Sequence, residues 1–155
     1  MGCAEEISVL KRLVRTTCQS ADHCAVAARA CVDGNRATVV DQLCDDRRRL
    51  AVDLIHCLLL RGAPVPEVRE ALTHAPRAPL TGVGLGALWI DVEIAEKKLH
   101  ETLQDVVANA ELSEPVRDML GLHFLRFKLH HDQLDRLMDP QPATAYGLSS
   151  RAQCM

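Results

Sequence analysis

Aromatic side chains are nearly missing: two Phe, one Trp and one Tyr in 155 residues, 3% of the chain. A β-sandwich core built without aromatics is poorly served, whereas Leu, Val, Ala and Cys suit helices that approach closely. Missing too is any apolar run near the ~20 residues a membrane span requires, so no membrane partner is expected. Charge of one sign is also scarce. The net charge is −3, and Arg47–Arg49 is the one run of basic residues, which gives no nucleic-acid footprint. The opening MGCAEEISVL has no apolar signal core, and Glu6 stands where a myristoylation signal wants Ser or Thr. Seven cysteines without a secretion signal are expected as free thiols in a reducing cytoplasm. No CxxC or CxxxC pair occurs, which removes zinc-ribbon and thioredoxin chemistry. A Ser-His-Asp order, a Gly-rich phosphate loop and a nucleophile elbow are missing as well.

What is there is helical periodicity. Residues 5–32 repeat every three to four positions through Ile7, Leu10, Val14, Thr17, Ala21, Cys24, Ala28 and Cys31. VDGN (32–35) reads as a turn with Gly34 as helix C-cap. A second helix over 37–61 turns Val39, Leu43, Leu50, Leu54, Cys57 and Leu60 inward and closes at Arg61-Gly62. Prolines 64, 66, 76 and 79 and glycines 62, 82 and 84 mark 62–84 as a long connection, with a short helical piece at 66–73. Such a segment reaches about 60 Å, enough to run the ~36 Å length of a neighbouring helix. The third helix, about 85–110, faces inward through Leu88, Val92, Ala95, Leu99, Leu103, Val106 and Ala110. Ser113 and Pro115 then open a fourth that runs to about 138. The expected architecture is an all-α four-helix bundle over 1–139, followed by a disordered tail at 140–155.

Polar groups on these seams are the candidate site. HFLRFKLHHDQLDRL (123–137) places His123 and His130 on the fourth helix's seam with Val116, Leu120, Phe127 and Leu134, and His131 on its flank. On the second helix Asp46 and Asp53 share a flank, and Asp53-x-x-His56 is a carboxylate–imidazole pair three residues apart. Glu96 borders the third seam, with Glu93, His100 and Trp89 adjacent. Carboxylates and imidazoles projected from bundle helices build di-iron and di-manganese centres. The candidate ligands are therefore Asp46, Asp53, His56, Glu96, His123, His130 and His131. The spacing is incomplete for such a centre. The first helix offers no inward carboxylate, and Phe127 and Lys128 stand where one would precede His130 or His131. The other reading makes His123 and His130 buried groups hydrogen-bonded across the bundle to Asp46, Asp53 or Glu96. His131-Asp132 is then an exposed or bundle-edge pair, and Asp46 and Arg47–Arg49 make interhelical or i,i+4 ion pairs. Thiols at Cys24, Cys31 and Cys57 invite Cu(I), but cysteine spacings of 6, 7, 13 and 13 from Cys18 to Cys57 are too sparse for a dense thiol lining, and buried cysteine also packs as a small hydrophobe.

Four stretches resemble a bacterial family of ferritin-like four-helix bundles classed as a domain of unknown function: LKRLVRTTCQSADHCAVAA (10–28), CDDRRRLAVDLIHCLLLRGAPVP (44–66), LTGVGLGALWIDVEI (80–94) and ELSEPVRDMLGLHF with HHDQLDRL (111–137). His131-Asp132 falls at the family's His-Asp, while His100 stands where the family tends to have Tyr. The resemblance implies a ferritin-like fold, frequent oligomers, no established activity and a loose association with stress responses. Three functions follow for testing: a non-catalytic bundle that self-associates or binds a protein partner, an Fe- or Mn-binding bundle with no other cofactor, and a Cu(I) or redox bundle.

Overall fold

The computed structural model describes residues 3–72, 85–109 and 111–138. They form five helices, α1 (Cys3–Ala30), α2 (Gly34–Leu60), α3 (Val65–Leu72), α4 (Leu85–Asn109) and α5 (Glu114–Met138), with no strand among the described residues. The all-α reading holds, and α3 lies where a short helical piece was expected, with Pro66 in its first turn. The rest of the connection, 73–84, and the tail, 140–155, lie outside the described residues.

Local chemistry sets the ends. Asp33 is the N-cap of α2: its Oδ1 accepts from the backbone N–H of Asn35 (2.9 Å) and Arg36 (3.4 Å). Gly34 is thus the first residue of α2 rather than the C-cap of α1, because the Asp33 carboxylate collects the N–H groups that nucleate the next helix. At the far end Gly62 takes φ +80°, and the N–H groups of Gly62 and Ala63 reach back to Leu59 and Leu58, each at 3.0 Å. That is a Schellman closure, which needs the left-handed residue that glycine supplies.

The four long helices close a ring. α1 packs on α2 and α4, and α5 packs on the other sides of α2 and α4, so α2 faces α4 across the interior. α3 covers one end of α1 and α2. Two apolar clusters fill the ring end to end. One gathers Leu10, Leu13, Leu54, Leu58, Leu103 and Phe127, and the other Cys24, Ala27, Val40, Leu43, Trp89 and Leu134. Expected inward positions shift by small rotations. Val40 and Leu58 are buried, whereas Leu60 is 73% exposed and Val39 half-buried. A 3.6-residue turn drifts against any fixed spacing over seven turns, so the ends of a long stripe are read least well.

One polar contact ties three segments at the first cluster's end. Glu6 is buried; its Oε1 accepts from Ser113 N (3.0 Å) and Ser113 Oγ (2.7 Å), and its Oε2 lies 3.3 Å from Arg61 Nε. The start of α1, the end of α2 and the cap of α5 meet on one carboxylate.

Candidate functional site

Between the two apolar clusters lies a polar layer. Its centre is Glu96 of α4, fully buried, facing Arg47 of α2, 2% exposed. Arg47 Nε donates to Oε1 at 2.9 Å and Nη2 to Oε2 at 2.6 Å, a bidentate fork between helices on the ring's diagonal. Ser20 Oγ of α1 donates to the same Oε1 at 2.6 Å. Phe127 of α5 completes the layer, with the Arg47 guanidinium carbon 4.1 Å from its ring centroid. Every long helix thus contributes one group. Thr17, also fully buried, leaves its Oγ1 without a hydrogen-bond partner among the described residues.

Both charged residues occupy seam positions. Leu43, Arg47, Leu50 and Leu54 step 4-3-4 along α2, as do Val92, Glu96, Leu99 and Leu103 along α4. A basic residue inside an apolar step was the available signal for Arg47, for which an interhelical or i,i+4 ion pair was expected; the pair is interhelical, with Glu96 as the partner. Its pairing is internal, because the seam carries it to the axis and only a carboxylate there can neutralise it.

The histidines behave as cross-links between α5 and α2. His123 Nε2 lies 2.7 Å from Asp53 Oδ2, and His130 Nδ1 abuts the Asp46 carboxylate. The two rungs sit seven residues apart on each helix, with the order reversed, so α2 and α5 run antiparallel. His123 thus hydrogen-bonds across the bundle as expected of a seam histidine, while His130 and Asp46 stand in close contact without a hydrogen bond among the described residues. His131 pairs within α5, 3.6 Å from Asp135 rather than with the exposed Asp132. On the α4 side His100 lies against Phe124 and Phe127, with ring centroids 5.4 and 5.2 Å away, and 6.2 Å from His131. His56 is exposed. The seven candidate ligands are therefore divided among five places: Glu96 on Arg47, Asp53 on His123, Asp46 on His130, His131 on Asp135, and His56 alone in solvent. Among the described residues no three His, Cys, Asp or Glu side chains gather to hold a metal ion.

Cys18, Cys24, Cys31, Cys44 and Cys57 are free thiols. Burial pushes the Cys24 thiol far above its ordinary range, with Glu96 adding to the effect. Desolvation raises Cys18, Cys44 and Cys57 as well. Of the expected inward trio Cys24 is fully buried, and Cys31 and Cys57 are each half-buried against a different apolar cluster. The raised thiols of Cys18, Cys24, Cys44 and Cys57 are held in the protonated form, whereas the metal-binding and nucleophilic form is the thiolate.

No family model matches the chain, and no curated protein matches it in sequence. Among solved structures, a mutant of Mycobacterium smegmatis Dps1 superposes with a TM-score of 0.69 at 10% identity, covering 88% of this chain and 97% of that one. At that identity the likeness concerns the fold, which is ferritin-like. No helix among the described residues is long and apolar enough to cross a membrane.

Proposed function

We propose that this chain is a ferritin-like four-helix bundle that is not an enzyme and acts as a scaffold, by self-association or by binding a protein partner. One observation carries the reading: Glu96, the one fully buried carboxylate among the described residues, is already neutralised by Arg47. A di-iron or di-manganese centre in a bundle needs several carboxylates and imidazoles converging on one point. Here the central positive charge belongs to the chain itself, and Ser20 and Phe127 complete its surroundings. Asp46 and Asp53 each face a single histidine. The residues present do not fit the metal centre that the fold suggests.

The competing metal reading is tested directly. Protein purified without chelator is assayed for Fe, Mn, Zn and Cu, then titrated with Fe(II), Mn(II) and Cu(I). The expected result is far less than one equivalent per chain and an unchanged thermal midpoint. Stoichiometric iron or manganese, lost on Glu96→Gln or on His130→Ala, would overturn the scaffold reading. Stoichiometric Cu(I) lost on Cys24→Ala would do so in favour of a thiol site.

A further inference from the structure

Helix α5 is apolar on two opposite faces. Val116, Leu120, Phe127 and Leu134 turn into the core, while Leu122, Leu125 and Leu129 stand 68, 68 and 59% exposed on the outside. A contiguous exposed apolar strip of this kind marks an interaction surface. The outer leucines are three and four residues apart, the step of a coiled-coil seam. Continued in both directions the seam reads Asp118, Leu122, Leu125, Leu129, Asp132, Arg136, every one exposed. Beside it runs a groove of about 530 Å³ between α5 and α2, walled by Val52, Met119 and Leu122 and rimmed by Arg49 and Arg126. Val52 is 64% exposed, so the apolar strip extends onto α2.

We infer that this face is a two-fold interface with a second copy of the chain, α5 packed antiparallel on α5. The inference rests on the self-association reading and adds its surface and register. The 4-3-4-3-4 spacing is symmetric about residue 127. Antiparallel pairing on that centre sets Leu125 against Leu129 of the second copy, and Asp118 against Arg136, each twice. Parallel pairing would instead set Asp118 on Asp118. Asp118 and Arg136 are both exposed, and neither makes an ion pair among the described residues. In this register Leu122 meets Asp132, a mismatch that keeps the dimer concentration-dependent. The area also suffices. Two adjacent helices of some 25 residues present a face about 37 Å by ~20 Å, on the order of 700 Å², near the ~800 Å² per partner of a standard interface.

Light scattering with size exclusion, from about 1 to about 500 µM wild-type chain, should show a monomer–dimer equilibrium in the micromolar range. Leu125→Glu, at an exposed position, should weaken the dimer about 30-fold or more and leave the thermal midpoint of the monomer in place. Asp118→Arg alone should weaken it about fivefold, and Asp118→Arg with Arg136→Asp should restore it. A dimer indifferent to Leu125→Glu overturns this interface while leaving self-association standing. Dissociation by Leu125→Glu without rescue by the charge swap overturns the antiparallel register. A strict monomer up to ~500 µM overturns both the interface and self-association, and leaves only partner binding.

Discussion

Removing Arg47 isolates a buried charge, and the size of the loss can be worked out from the layer it occupies. Arg47→Met keeps most of the aliphatic stem but deletes the fork to Glu96 and the contact with Phe127. Both partners are essentially inaccessible to water, at 2 and 0% side-chain exposure, so solvent does not screen the change. Breaking one side of such a pair costs about 3–5 kcal/mol. For a chain of this size each kcal/mol lowers the thermal midpoint by about 2–4 °C. Glu96→Met should cost a comparable amount, since it strands the guanidinium. The double replacement Arg47→Met/Glu96→Met removes both charges and leaves Ser20 Oγ without its acceptor. It should cost less than the sum of the singles, by a coupling energy of about 2–3 kcal/mol. Urea unfolding of the four proteins, followed by circular dichroism, gives the cycle. An Arg47→Met loss below about 1 kcal/mol, or strictly additive singles, would refute the assignment of this pair as the neutralised core of the polar layer.

Three other outcomes follow from neighbouring contacts. His130→Ala should destabilise more than His123→Ala, by about 1–3 against below ~1 kcal/mol, because Asp46 is 12% exposed and Asp53 50%; equal midpoints would contradict the ranking. Cys24 should resist Ellman's reagent at pH 8 under native conditions and react only on unfolding. Its thiol is held protonated by burial, so raising the pH to about 9 should add little reactivity at this site. Asp33→Ala should cost about 1 kcal/mol by stripping the α2 cap, and hydrogen exchange at Asn35 and Arg36 should accelerate first.

The long helices were legible because their apolar residues recur at helical spacing across many turns, as in Val92, Leu99, Leu103 and Val106 of α4. That the two seam histidines meet carboxylates across the bundle was readable from phase, but the choice among Asp46, Asp53 and Glu96 was not, since it depends on which helices are neighbours. The central pair was not. Periodicity counts apolar residues, and Arg47 and Glu96 appear in that count as gaps. Only the closed ring reveals that two gaps on diagonal helices coincide at one depth. Glu6 escaped for a related reason: its partners, Arg61 and Ser113, are fixed by how three chain ends converge, which no local pattern encodes. The Gly34 reading failed on competition between neighbours, because glycine after Asp can end one helix or follow the cap of the next.

The Glu6 contact has a consequence for the order of assembly. Its Ser113 partner lies 107 residues further along the chain. At a synthesis rate of about 5–20 residues per second, the carboxylate waits roughly 5–20 s for that partner to be made. Arg61 is available much earlier, at the end of the α1–α2 hairpin. One carboxylate oxygen can therefore be engaged while the other stays hydrated until the last helix begins. Capping of α5 and dehydration of Glu6 then become a single event, so the nascent chain completes its ring on a carboxylate made 107 residues earlier.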